Sequence, residues 1–227
     1  MYDGQDMLPL IRDAYPRIMA DPDVPRVRKM QIEVTVTMGS LCADYMQYYY
    51  YRDEVLNNMR TAAQSRSERI LSEVPTYRAH YREQATAARP ELDQARSRGG
   101  IMELELAIDV MSAIFNDSGQ VYPCNVPNRG AIPFFPDDRV VEVPCLVNRH
   151  GATPLTQPPL PEGPRALLGM LSEYQSLAAK AAWDGTRADC IRALAGNPLV
   201  LDLCKATVIY DELAAAHKRY LPERLLS

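Results

Sequence analysis

Two valine-rich runs, enclosed on both sides by helical periodicity, place the strongest limit on how this chain can fold. Residues 120–126 and 139–148 have the composition of β-strands. Between them lies a turn-rich stretch that holds Pro127, Asn128 and Gly130. On either side, apolar residues recur at the three- and four-residue intervals typical of helices. The pattern predicts an α+β fold, with helices from both ends of the chain packed on a small, mainly antiparallel sheet.

Helical periodicity is predicted through residues 1–83, again at 103–116, and then at 166–183, 186–195 and up to Tyr220. A proline-rich link over residues 154–164 precedes these last helices.

Five tyrosines within residues 45–51 lead into an apolar pattern that reaches Leu71, which predicts one long helix. Neighbouring positions spread around a helix axis, so we expect these rings to serve core and subunit contacts; a tyrosine at a substrate cleft is the alternative. The helix at 103–116 is expected to turn Ile108, Met111 and Phe115 toward the core.

Composition argues against several classes of protein. The chain has 227 residues, 47% of them hydrophobic, and a formal charge of -4, so it has no overall basic field and we expect no nucleic-acid partner. Charged residues interrupt the first twenty positions, so we expect neither a signal peptide nor a membrane segment, and a cytoplasmic location. Five cysteines without a CxxC pair fit buried thiols in a reducing compartment. The chain has no GxGxxG or P-loop pattern that would bind a nucleotide.

Several short stretches, taken in order, resemble glycoside hydrolase family four, and most closely its 6-phospho-β-glucosidases. They are Arg98-Gly99-Gly100, Asn125-Val126-Pro127-Asn128-Arg129-Gly130, Val141-Glu142-Val143-Pro144-Cys145 and Asn197-Pro198-Leu199-Val200. The resemblance covers nearly the whole chain but only the C-terminal portion of a family member, which also has an N-terminal dinucleotide-binding domain. It implies that residues 1–227 form a single substrate-side and oligomerisation domain, folded like the C-terminal domains of lactate and malate dehydrogenases.

The resemblance also implies an unusual glycosidase chemistry. Family members use NAD to take a hydride from C3 of the sugar, a tyrosine removes the C2 proton, and the leaving group departs by elimination. A divalent metal, usually manganese, polarises the oxygens on C2 and C3. The NAD site and the metal ligands belong to the family pattern upstream of Met1, so neither site is expected to be complete in this chain, and we predict no cofactor-binding or metal residue within it.

The expected tyrosine lies in a family stretch that reads roughly Gly-Gly-Ala-x-Tyr-Ser-Glu, and this chain has Glu103 at that position. Glu103 is the candidate catalytic base, although a solvated carboxylate in the first turn of a helix would give the same pattern. Arg98, beside Gly99 and Gly100, is a candidate phosphosugar contact because a guanidinium matches phosphate oxygens with two parallel hydrogen bonds; a surface arginine is the alternative.

Asn125 and Asn128 complete the candidate substrate-binding set. Asparagines beside a proline are, however, also used for turn geometry.

Two functions therefore remain open from the sequence. The chain is either the substrate-side portion of an NAD- and metal-dependent 6-phospho-β-glucosidase-like enzyme, inactive alone, or a non-catalytic remnant that serves oligomerisation or phosphosugar binding. The partners implied are a phosphorylated glycoside, a separate NAD-binding half and a second copy of the chain.

Overall fold

The computed structural model describes residues 5–97 and 101–226, with the backbone alone at 94 and 101–105. It has an α+β architecture, as the sequence predicts. The helices are α1 (Met7–Ala20), α2 (Arg26–Met38), α3 (Gln47–Tyr50), α4 (Arg52–Thr61), α5 (Arg66–Ala85), α6 (Ile101–Asn116), α7 (Glu162–Asp184), α8 (Arg187–Gly196) and α9 (Leu203–Ala216). The strands are β1 (Gln120–Pro127), β2 (Val140–Asn148) and β3 (Gly151–Pro154). In the described residues, no helix combines the length and apolar character needed to cross a bilayer.

The chain divides into two compact units. The first contains Met1–Val55, Pro127–Arg139 and Gln157–Ser227, and the second contains Leu56–Val126 and Val140–Thr156. The assignment of residues 1–227 to a single domain stays a prediction.

The sheet has the strand order β1-β2-β3, and β2 pairs with β3 in antiparallel register, with Cys145 opposite Pro154 and Asn148 opposite Gly151. Both predicted strands are confirmed. Strand β3 was not predicted from the sequence, because its four residues after a turn are too few to show the two-residue alternation of a strand. Gly151, at φ +96°, completes that turn in a conformation that other residues rarely adopt.

The core of the second unit forms along one face of β2. Its side chains alternate, and the buried ones are Val141, Val143, Cys145 and Val147. Helix α6 packs against this strand, with Ala113 as a buried residue.

The face that α6 was expected to bury is exposed. Ile108 and Met111 are more than half exposed, and Phe115 is 88% exposed. The prediction was wrong because apolar residues run around most of this helix, so its periodicity selects no single face.

The long helix predicted from the tyrosine run to Leu71 is also wrong, because the chain breaks twice. Tyr51, at φ -124°, ends α3. A new helix, α5, starts after Ser65, whose hydroxyl accepts from the Glu68 amide while the Glu68 carboxylate accepts from the Ser65 amide. This reciprocal cap satisfies two helix-end donors and fixes the start of α5. The tyrosines at 45–51 are half-buried or exposed, and Tyr45 stacks on Tyr48.

In the first unit, α7, α8 and α9 pack in succession, and α2 packs on both α1 and α7. Arg224 closes the C-terminal end of α7, because its guanidinium donates to the carbonyl oxygens of Ala182 and Trp183, both at 2.9 Å. The last carbonyls of a helix have no partner within the helix, so a cation that donates to them stabilises its end.

The start of α7 approaches the end of α2 so closely that only glycine fits. A Cβ at Gly163 would lie 2.6 Å from the carbonyl oxygen of Met38. The obstacle is backbone rather than a flexible side chain, so the two helices would have to separate to admit it.

Gly163→Ala is therefore expected to destabilise the protein by about 1–3 kcal/mol, the usual cost of overpacking. Chemical unfolding monitored by circular dichroism measures the loss. Gly196→Ala is the matched control, because a Cβ there would meet no atom of the neighbouring described elements within 4 Å and alanine favours a helix. Equal stability of the two variants would contradict the close approach.

Candidate functional site

The structure places the candidate residues in different surroundings. Arg98, Gly99 and Gly100 lie outside the described residues. Glu103 is the third residue of α6, and its side chain also lies outside them. Asn125 lies on β1 in the second unit with its side chain exposed, whereas Asn128 is fully buried in the first unit.

The side-chain amide of Asn128 is fully engaged in its own loop. Its Nδ2 donates to the carbonyl oxygens of Ile132 at 3.0 Å and Phe135 at 2.7 Å, and its Oδ1 accepts from the Ile132 amide at 2.7 Å. Both amide hydrogens are thereby used. The geometry supports the turn-forming alternative for Asn128, since it has no hydrogen left to donate to a sugar.

Backbone hydrogen bonds close the same loop. The Asn128 amide donates to the Arg139 carbonyl at 2.7 Å, and the Arg129 amide donates to that of Asp137 at 3.1 Å. Arg129 and Gly130 both have positive φ, which the tight turn requires. Residues 127–139 therefore form a closed turn that carries a buried amide at its centre.

Two thiols meet on the strands of the second unit. Burial raises the pKa of Cys145, and the neighbouring Cys124 raises it further. A thiol that stays protonated is a poor metal ligand. Within the described residues, no three His, Cys, Asp or Glu side chains come together in a way that could hold a metal ion.

A cavity of about 370 Å³ lies among α7, α8 and α9. Small side chains such as Ala178, Ala181 and Ala193 leave this space, and its described lining includes no arginine or lysine. Tyr210 also lines it; burial and contact with Cys190 raise the pKa of its hydroxyl to about 12, and the hydroxyl donates to the Leu225 carbonyl at 2.7 Å. Such an apolar space does not suit a phosphorylated sugar.

A smaller cavity of about 210 Å³ contains Arg187 and Lys218. Arg187 donates to both carboxylate oxygens of Asp211, at 2.8 and 2.7 Å, and this hydrogen bonding lowers the pKa of Asp211. The ion pair is therefore formed at neutral pH, and the Arg187 charge is already matched. Lys218 lines the same cavity, which therefore combines a paired arginine with a lysine.

The described helices and the three-stranded sheet give the chain an α+β fold that is shared with phosphoglucosidases of known structure. The 6-phospho-alpha-glucosidase from gut microorganisms in complex with NAD and glucose-6-phosphate superposes with a TM-score of 0.79 at 20% identity, over 100% of this chain and 53% of that one. The 6-phospho-beta glucosidase from Thermotoga maritima with NAD and glucose-6-phosphate gives 0.78 at 22% identity, over 98% and 51%. At these identities the likeness shows the fold alone.

The chain belongs to glycoside hydrolase family 4, because the model of the Family 4 glycosyl hydrolase C-terminal domain matches residues 1–200. It is 33% identical over 182 residues to a probable 6-phospho-beta-glucosidase of Bacillus subtilis, covering 79% of this chain and 41% of that protein. The 6-phospho-beta-glucosidase of Escherichia coli is 28% identical over 199 residues, covering 82% and 42%. The chain thus spans about two fifths of the length of these relatives.

Sequence reasoning missed two residues that organise the described chain, His80 and Arg224. His80 lies among tyrosines and arginines, and Arg224 lies between Glu223 and Leu225, so neither residue gives a local signal of burial or of a carbonyl-capping role. The cap at Ser65 was detectable, because Ser-x-x-Glu ahead of a helical run is a known start signal.

Asn128→Ala is expected to destabilise the chain by about 2 kcal/mol or more, because the buried carbonyl of Ile132 and the partly buried carbonyl of Phe135 lose their donor. Asn125→Ala, on an exposed position of the adjoining strand, is expected to stay within about 0.5 kcal/mol of the natural chain. Urea unfolding measures the change in the free energy of unfolding for each of the two variants. Similar losses in both would show that the Asn128 amide does not hold the turn.

Proposed function

We propose that this chain supplies the substrate-side portion of a 6-phospho-β-glucosidase-like glycosidase that depends on NAD and a divalent metal, usually manganese, and that the chain is inactive alone. The observation that carries the proposal is membership of glycoside hydrolase family 4 together with the 33% identity to a probable 6-phospho-beta-glucosidase. The partners are a phosphorylated glycoside, an NAD-binding portion and a second copy of the chain, in the cytoplasm.

In this proposal, the NAD-binding portion supplies the sites for NAD and the metal. NAD would accept the hydride from C3, and the metal would polarise the neighbouring oxygens. The described residues do not fit a metal, since they form no cluster of three metal-ligating side chains, and the larger cavity among them is too apolar for a phosphate group. We therefore assign no step through these groups to the described residues.

Glu103 is the residue of this chain to which we assign the removal of the C2 proton. It stands where family members have the tyrosine, on the first turn of α6. Arg98, Gly99 and Gly100 precede it in sequence and are our candidates for contact with the phosphorylated sugar, together with the exposed Asn125. Asn128 supports the neighbouring turn.

A second candidate function rests on the same position. A carboxylate is a much weaker base than a tyrosinate, so Glu103 in place of tyrosine also favours a non-catalytic domain that serves oligomerisation or binds a phosphosugar without turnover. The exposed apolar side chains of α6 are compatible with a covered surface in either case.

Hydrolysis of a nitrophenyl 6-phospho-β-glucoside with NAD and Mn²⁺ separates the two functions. We expect no product release from the chain alone, and release when it is joined to the N-terminal portion of the Bacillus subtilis relative. In the joined protein, Glu103→Gln is expected to lower kcat about a hundredfold or more, because it removes the general base but keeps the shape of the side chain.

The same N-terminal portion joined to its own C-terminal portion is the positive control. Release only after Glu103→Tyr would establish the non-catalytic function for the natural chain. No release from any joined form, with the control active, would overturn the glycosidase proposal.

A further inference from the structure

The apolar cavity among α7, α8 and α9 has the size of a small-molecule site. Its volume of about 370 Å³ lies within the range of about 300–1,000 Å³ that is typical of ligand pockets. An engineered protein cavity of about 150 Å³ is already large enough to bind benzene. The space in this chain therefore has room for a molecule of two fused aromatic rings.

The cavity has a buried floor and an exposed rim. Ala181, Ala193 and Ala214 line it and are buried. Leu213 and His217 also line it, and both are exposed. A ligand can therefore enter past the rim and reach the floor without separation of the three helices.

The lining of this cavity is apolar and favours a neutral ligand. Its described residues include no aspartate, glutamate, lysine or arginine. Arg187 and Lys218 line the smaller neighbouring cavity instead. A charged ligand would lose its hydration among the apolar side chains without gaining an ion pair there, which makes its burial costly.

One polar side chain of the lining is available to a ligand. The hydroxyl of Tyr210 is already engaged, because it donates to the Leu225 carbonyl at 2.7 Å. The half-buried Tyr174 also lines the cavity, and its hydroxyl makes no hydrogen bond within the described residues. A tyrosine hydroxyl can both donate and accept, so Tyr174 can pair with a hydroxyl group on a ligand.

The remaining chemistry of the lining favours an aromatic ligand. Tyr174 on α7 and Tyr210 on α9 reach the cavity from different helices, and Cys190 lines it from α8. Aromatic rings pair favourably with one another, and a sulfur near the edge of a ring adds to the contact.

We propose that this cavity binds a neutral aromatic alcohol of one or two rings, with the chemistry of a phenol or a naphthol, whose hydroxyl pairs with that of Tyr174. The site lies wholly within residues 174–225 of the first unit. It is separate from the glycosidase chemistry and does not rest on the proposed function.

Equilibrium dialysis of the full chain against 2-naphthol tests the site. We expect saturable binding with a dissociation constant of about 100 μM or tighter. For 2-naphthoate, which has the same rings and a carboxylate, we expect binding about tenfold weaker or less, because the lining offers no charge to match it. No saturable binding of 2-naphthol up to about 1 mM, or tighter binding of 2-naphthoate, overturns the proposal.

Tyr174→Phe tests the hydrogen bond without changing the shape of the ring. We expect this variant to bind 2-naphthol about fivefold more weakly and naphthalene as well as the natural chain does. Naphthalene has no hydroxyl, so it controls for any change in the cavity itself. Unchanged binding of 2-naphthol, or equal losses for both probes, overturns the role of Tyr174.

Two leucine variants on α7 locate the bound probe. Ala178→Leu places a larger side chain in the lining and is expected to weaken 2-naphthol about tenfold. Ala179→Leu is the matched control, because Ala179 is exposed on the same helix and is not among the described lining residues, and its binding is expected to be unchanged. Equal binding by the two folded variants places the probe elsewhere and overturns the proposal.

The natural chain provides a further readout that needs no variant. Cys190 lines the cavity, whereas Cys204 is exposed and is not among its described lining residues. Saturating 2-naphthol is expected to slow the labelling of Cys190 by N-ethylmaleimide about fivefold and to leave that of Cys204 unchanged, as measured by peptide mass spectrometry. Equal labelling rates of Cys190 with and without the probe overturn the proposal even if Ala178→Leu does not fold.

Discussion

The buried side-chain amide of Asn128 holds the loop of residues 127–139 in its conformation. The loop at 127–139 separates two strands of the sheet, and the backbone amides of Asn128 and Arg129 close it by donating to the carbonyls of Arg139 and Asp137. The Asn128 side chain adds to these bonds, by donating to the carbonyls of Ile132 and Phe135 while accepting from the Ile132 amide. Without this amide, buried carbonyls would lose their donors at a cost of about 1–3 kcal/mol each. The turn between β1 and β2 therefore depends on this side chain as well as on its backbone hydrogen bonds.

Features with a local signature were predictable from the sequence, and features that depend on tertiary burial were not. The two long strands and the stop after α6 follow from residue composition and turn residues over a few positions. The buried face of α6 did not follow, because its apolar residues run around the helix and only the packed strand selects Ala113. Asn125 lies two residues before Pro127 and Asn128 directly after it, yet Asn125 is exposed and Asn128 is buried, and nothing in the adjoining sequence predicts that difference.

Family membership and catalytic competence are separate questions in this chain. The fold is retained across the family portion that the chain spans, but the fold does not supply the base. A glutamate has an ordinary pKa of about 4.3 and a tyrosine one of about 10, so in the role proposed for Glu103 the proton acceptor would be less basic than a tyrosine by several orders of magnitude. A working Glu103 therefore needs an environment, supplied with the substrate or the partner portion, that destabilises its charge.

The two flanks of residues 98–100 are held by different physical means. Upstream, the segment that ends at Ser97 is tied to α5 by the His80 acceptor and by partly exposed polar contacts. Downstream, α6 is held by apolar burial against β2, with Ala113 2% exposed. Hydrogen bonds in an exposed segment open more readily than a packed apolar face, so α6 is the more firmly held of the two flanks.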